Sequence, residues 1–212
     1  MNEQGKVLLR IRDVAFALHT AGDYGQALNR IRLQKFVYLV DVLGKCFEVL
    51  PPQARHIVYR HGPYDKRVQN AVDVLAFRGF VKIVKAVADE SGNLSTDYVL
   101  SGAGQKWVAA MLRSEVFLAR YGVARAVGEE VERLGWHRLR ELVYAEPTFV
   151  SNRPLGYGRV LKTADVRTRS AGSLLTLADR ILSAGFPSPQ VTPRLLTRAF
   201  FDYLERYARI SG

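Results

Sequence analysis

The sequence predicts a mainly α fold with a small β-hairpin: a winged helix-turn-helix over residues 1–104, then a helical extension over 105–212 packed on it. Three observations carry this prediction. Apolar residues recur at helical spacing in three segments before residue 80. A two-arm alternating stretch follows at once, split by the turn-rich ADESGN. Beyond residue 104 helical periodicity dominates.

The elements follow in chain order. Leu8, Ile11, Ala15 and Leu18 share one helical face, and Gly22 marks that helix's end. Asn29 is placed to cap the next helix, whose face is Leu33, Phe36, Val37, Val40 and Leu43, stopping at Gly44. Pro51-Pro52 breaks the chain, and Arg55 to Tyr59 (RHIVY) reads as a short strand. In His61-Gly62-Pro63-Tyr64 the glycine allows a sharp turn, and Pro63 suits the first turn of a helix running to Arg78. Val68, Ala71, Val72 and Leu75 form its inner face, and Gly79 ends it. FVKIVKAV and LSTDYVLS are the hairpin arms, and the alternation loses phase at Val84, as at a bulge.

Ser101-Gly102-Ala103-Gly104 leads into a helix from Gln105. Trp107, Ala110, Met111, Phe117 and Tyr121 mark one long amphipathic run, continued by Val127, Val131 and Leu134 after a weak point at Gly122. WHRLRELVYA is a short helix that stops before Pro147. Residues 148–172 show no period, and Leu174 to Leu182 reads as a helix ending at Gly185. Thr192 (N-cap) and Pro193 (N1) open the last helix, with Leu196, Phe200, Tyr203, Leu204 and Tyr207 on its apolar side.

Composition narrows the function. Of 212 residues 48% are hydrophobic, too many for a disordered basic tail. One cysteine, Cys46, cannot staple a secreted fold, so the reducing cytoplasm is expected, with Cys46 buried beside the second helix. No apolar run reaches the roughly 20 residues of a membrane helix, and the N-terminus has no signal-peptide pattern. Neither a membrane nor a cofactor is expected as a partner. The net charge is +11, from 23 Arg and 8 Lys against 20 acids. It divides as +4 over residues 1–100 and +7 over 101–212, so it is not confined to a tail.

No residue set points to catalysis. There is no phosphate-cradling GxxxxGK[ST], and Gly156-Tyr157-Gly158 lacks the third glycine and preceding strand of a dinucleotide site. Cys46, His56 and His61 fit no zinc spacing. Glu129, Glu130 and Glu132 read as a solvated helix face, and the E-x-K pair of a metal-dependent nuclease does not occur. A non-catalytic protein is expected, with no metal.

Nucleic acid, DNA or RNA held by its phosphate backbone, is the leading partner. On the third helix Lys66, Asn70, Asp73 and Phe77 lie opposite the apolar face, with Arg67 and Gln69 on the flanks. Lys66, Arg67, Gln69 and Asn70 suit a helix whose first turns enter a major groove. Arg60 and His61 precede it, and Lys82 and Lys85 on the hairpin would grip the backbone as a wing. Asp73 and Phe77 are poor groove-facing residues. A second basic feature, Arg153, Arg159, Lys162, Arg167 and Arg169 against Asp165 alone, makes a local +4 over residues 151–170. The two features are expected on separate surfaces. The competing expectation is a protein-binding adaptor or antitoxin that occludes a toxin or defence-complex protein, with Phe77, Phe200, Tyr203 and Tyr207 at the interface.

Residues 30–85 also resemble a known family. Leu33, Gln34, Lys35, Tyr38 and Leu39, then Gly62-Pro63-Tyr64, then Leu75 and Gly79 are similar to the pattern of the Panacea (SocA-like antitoxin) domains and the related YwgA-like proteins. The resemblance implies a protein-binding antitoxin or adaptor in a bacterial toxin–antitoxin or anti-phage setting, and it brings no catalytic motif.

Overall fold

Apolar spacing and capping chemistry account for most of the architecture of the computed structural model, which describes residues 3–44, 56–88, 94–161 and 192–211. Helix α1 (Glu3–Asp23) and helix α2 (Arg30–Gly44) lie at the centre. Residues 33–44 of α2 are buried on every side, and α1 is buried continuously from Arg12 to Leu18. Leu8, expected on the inner face of α1, is exposed, because the covered part of the helix begins at Arg10. The two helices are joined through the short strand β1 (Leu28–Asn29), and Asn29 caps α2 by accepting from Arg32 N at 2.9 Å.

Strands β2 (His56–Tyr59) and β3 (Gly62–Tyr64) form a tight antiparallel pair. Gly62-Pro63-Tyr64 is therefore strand, not the helix start expected. Gly62 takes φ 98°, which closes the turn, and Pro63 sits opposite Val58. Helix α3 (Lys66–Phe77) starts two residues later, with Asp65 as N-cap accepting from Arg67 N at 2.9 Å. Val68, Ala71, Val72 and Leu75 face the core as their spacing requires.

Strands β4 (Val81–Ala88) and β5 (Leu94–Leu100) form the expected hairpin, and its register shifts between Ile83 and Lys85, where the alternation loses phase. β1 pairs with β5, giving a three-stranded sheet in the order β1-β5-β4. β2 and β3 belong to a second sheet, ordered β3-β2-β6, where β6 is Val160–Leu161. The chain is thus mostly helical with two small antiparallel sheets, where the sequence predicted one hairpin.

Helix α4 (Gly102–Met111) begins earlier than Gln105 because Ser101 is its cap: Ser101 Oγ accepts from Gly104 N at 3.1 Å and donates to Gly79 O at 2.7 Å. The run from Trp107 to Tyr121 is not one helix; it breaks at Leu112–Ser114, and helix α5 runs Glu115–Ala145. Helix α5 runs unbroken past Gly122, and its kink is at Gly135 (φ 74°, ψ 159°), so WHRLRELVYA follows a break and ends at Ala145, before Pro147, as expected. Residues 147–161 are more ordered than expected: helix α6 (Pro147–Asn152), a 3₁₀ turn (Arg153–Leu155) and strand β6 (Val160–Leu161). The helix expected at 174–182 and Cys46 lie outside the described residues.

Helix α7 (Pro193–Ser211) starts at its predicted cap, Thr192 Oγ1 accepting from Leu195 N at 3.3 Å. Leu196, Phe200, Phe201 and Leu204 are buried in the core cluster, and α7 packs on α5. Each such side chain contributes about 1.5–3 kcal/mol by burial. Buried residues from both halves form one cluster, so the extension and the first 104 residues share a core.

Candidate nucleic-acid interface

A buried charge network holds the start of α3. Arg10 of α1 donates through Nε to Asp65 Oδ2 at 2.9 Å, and the Gln34 amide pairs with the Asp65 peptide in both directions at 3.0 and 2.8 Å. The first turn of α3, carrying Lys66 and Arg67, is thereby tied to α1 and α2. Arg10 also reaches Asp13 at 3.1 Å and Asp41 at 2.6 Å. Arg120 of α5 binds Asp13 at 3.0 Å and Asp41 at 2.5 Å, Arg12 binds Asp13 at 2.9 Å, and His56 Nε2 lies 2.8 Å from Asp41. Three guanidinium groups thus face three carboxylates, all buried.

Burial pushes the Asp41 carboxyl up, but Arg10 and Arg120 outweigh it and hold it well below the usual carboxylate range. Asp13 is likewise lowered, against burial, by Arg120, Arg12 and Arg10. Nearby, Tyr38 Oη lies 2.5 Å from Glu146, and burial with that carboxylate pushes the phenol well up. Lys35 donates to His61 O at 2.5 Å and sits 4.8 Å from the Tyr144 ring centre. Burial, with Arg140 nearby, lowers its ammonium to about 8.

These inward contacts leave the surface of residues 56–88 mostly basic, with Asp97 of β5 opposite Lys85 across the hairpin. Residues 56–88 hold six basic residues and two acids, Asp65 and Asp73. Asp65 is buried, so Asp73 is the one acid of that stretch on the surface. Arg60, His61, Lys66, Asn70, Lys82 and Lys85 are all exposed, and Arg67 is half-buried with its Nε 3.7 Å from Asp65. Arg60, Lys66, Lys82 and Lys85 form no ion pair with another described residue. Gln69 donates to Asp73 at 2.9 Å, which commits part of the amide that groove reading would use.

The second basic feature comes to the same sheet. Val58 N donates to Arg159 O at 2.8 Å and Gly158 N to Val58 O at 2.9 Å, laying residues 158–161 along β2. Arg159 therefore sits beside the β2–β3 turn that carries Arg60 and His61, and the two features do not stand fully apart. Arg153 and Tyr157 are exposed, whereas Lys162, Arg167 and Arg169 lie outside the described residues.

The expected partner-binding residues separate. Phe77 is 90% exposed, but Phe200 is fully buried within the core. Tyr203 and Tyr207 are half-buried and stacked, ring centres 6.1 Å apart. The acids of α5 are not simply solvated. Glu130 is buried and pairs with Arg133 at 2.6 Å and Arg198 at 3.2 Å, and Glu129 pairs with Arg194 at 3.0 Å, fastening α7 to α5.

Among the described residues no three His, Cys, Asp or Glu side chains form a group able to hold a metal ion, and no helix is long and apolar enough to cross a membrane. No protein-family model and no curated protein matches the chain.

Proposed function

We propose that this chain is a non-catalytic nucleic-acid-binding module of winged-helix type that grips the phosphate backbone with little sequence reading. The carrying observation is the sorting of charge over residues 56–88: one acid turned inward, the bases left outside, and Arg159 added along β2. The pairing of β1 with the second hairpin strand supports a winged helix, although the β2–β3 pair stands between α2 and α3 in place of a short turn. In that reading α3 is the groove-side helix and Lys82 and Lys85 belong to the wing. Asp73, held by Gln69 at the middle of the exposed face, works against base reading and favours phosphate contacts. The expected setting is an accessory subunit in a bacterial defence or toxin–antitoxin system.

The test is binding of the full chain to random duplex DNA and RNA across a salt series, followed by fluorescence anisotropy. Log affinity should fall linearly with log salt, by about 0.9 per neutralised phosphate on duplex DNA. Lys66→Glu with Arg67→Glu should weaken binding and flatten that slope. Affinity indifferent to salt, or none at low salt, sinks the proposal.

A second reading, a protein-binding adaptor, is favoured by one observation. Phe77, Val74, Ile83, Val84 and Val87, at the end of α3 and along β4, are exposed apolar side chains. A protein that co-purifies with the wild-type chain and is lost on Phe77→Ser would establish it.

A further inference from the structure

A cleft opens where the start of α2, the β2–β3 turn and α3 meet, lined by Arg30, Ile31, Gln34, Tyr59, Tyr64 and Gln69, with a volume of about 160 Å³. That is ring-sized: a cavity of roughly 150 Å³ admits benzene. Its walls are set. The Gln34 amide is pinned by the Asp65 peptide, and Gln69 by Asp73. Tyr59 and Tyr64 stand with ring centres 5.1 Å apart and planes tilted by 35°. They are already in offset contact and admit no third ring between them, so the platform for a base is an outer face of the pair. Burial raises the Tyr64 phenol, helped by Tyr59, so the Tyr64 ring is neutral at physiological pH. Arg30 lines the cleft, and its Nε lies 3.3 Å from Tyr98 Oη while the residue stays exposed. Arg60 and Lys66 adjoin the cleft-lining segments in sequence, whereas Asp65, the acid between them, faces Arg10.

We propose that this cleft seats one unpaired nucleobase, stacked on the Tyr59–Tyr64 platform, with its phosphate held by Arg30 and the neighbouring cations. The inference rests on the nucleic-acid reading above and adds to its backbone contacts a single-stranded segment with one free base. A duplex keeps its bases paired and stacked and cannot present one to a cleft this small. Stacking on an aromatic face is tolerant of sequence, because every base has one. Arg30 in the lining favours a nucleotide over a bare aromatic side chain, although Asp73 is close enough to act on both Arg30 and Tyr64.

The test uses the full chain and four probes: a short oligothymidylate, a sugar–phosphate strand of equal length lacking bases, a duplex, and an acidic peptide carrying one phenylalanine. The wild type should bind the base-bearing strand about tenfold tighter than the abasic one. Tyr59→Ala should erase that preference and leave abasic binding unchanged, and Tyr59→Phe should keep it. Tyr59 is half-exposed, so neither change opens the core. Equal affinity of the wild type for both strands overturns the cleft assignment while the backbone-binding proposal stands. A preference that survives Tyr59→Ala also overturns it. No binding of any probe at low salt overturns both. Tighter binding of an acidic peptide carrying one phenylalanine than of the oligothymidylate overturns it in favour of a protein segment.

Discussion

Arg120→Met isolates what the buried charge network contributes. Arg120 is 1% exposed and donates to Asp13 at 3.1 and 3.0 Å, to Asp41 at 2.5 Å and to Val40 O at 3.4 Å. Methionine fills much of the same space, so the cavity contribution is small and the loss is electrostatic. Three guanidiniums against three carboxylates become two against three. Removing one partner of a buried pair costs about 3–5 kcal/mol. That is a large share of the roughly 5–15 kcal/mol that keeps a domain folded. Urea unfolding followed by the fluorescence of the two tryptophans, Trp107 and Trp136, reads it directly. Asp13→Asn in the Arg120→Met background returns the cluster to two against two, so the double variant should lose less than the sum of the singles, by about 0.5–3 kcal/mol. A single-variant cost below about 1 kcal/mol, or strict additivity in the cycle, refutes the reasoning.

Acid should act through the same cluster. Asp13 and Asp41 have folded values below their unfolded ones, so their contribution is whole above about pH 4 and is lost as pH falls through the lower folded values. The urea midpoint should hold from about pH 7 to 5 and drop below about 4; a rise on acidification contradicts this. Lys35 has the opposite consequence at high pH. With a folded value of about 8 against 10.5 unfolded, the unfolded chain holds a proton the folded one lacks, so stability should rise with pH between those values. Lys35→Met should remove that rise, and an unchanged pH slope rules the assignment out. Gly128→Ala would ordinarily gain about 1 kcal/mol in a helix interior. Here the added methyl collides with the buried Thr20 Cγ2 where α5 crosses α1, and thermal unfolding should report a loss of about 1–3 kcal/mol.

What was legible in the sequence follows the range of the forces. The faces of α2 and α3 were legible because Leu33, Phe36 and Val37, or Val68, Ala71 and Val72, need only helical periodicity to declare themselves. The caps at Asn29 and Thr192 and the bulge near Val84 are local chemistry and were legible for the same reason. Gly62-Pro63 is ambiguous in the sequence because the dipeptide serves a strand-closing turn as well as a helix start. Only the pairing with Val58 and Tyr59 decides between them. The network of Arg10, Asp13, Asp41, Asp65 and Arg120 is not legible as a network, since its members lie up to 110 residues apart. Its signal was present all the same: Asp41 interrupts LVDVL and Asp13 interrupts IRDVAF, charges set inside apolar runs where a solvated face has no place for them. At the candidate site the exposed cations were legible, but their meeting with Arg159 and with the Tyr59–Tyr64 platform depends on long-range strand pairing.

Strand β4 has a colloidal consequence. Among the described strands it pairs with β5 alone and leaves its other edge unpaired by them, and Ile83, Val84 and Val87 along it are exposed. Such an edge is a template for another chain, and lysines and a bulge are the usual protection. Lys82, Lys85 and the register shift between Ile83 and Lys85 supply both. Neutralising the two lysines to probe the wing therefore also strips the guard from a sticky edge. Light scattering on Lys82→Gln with Lys85→Gln should show self-association growing with concentration, a loss of solubility that a binding curve alone would mistake for a change in affinity.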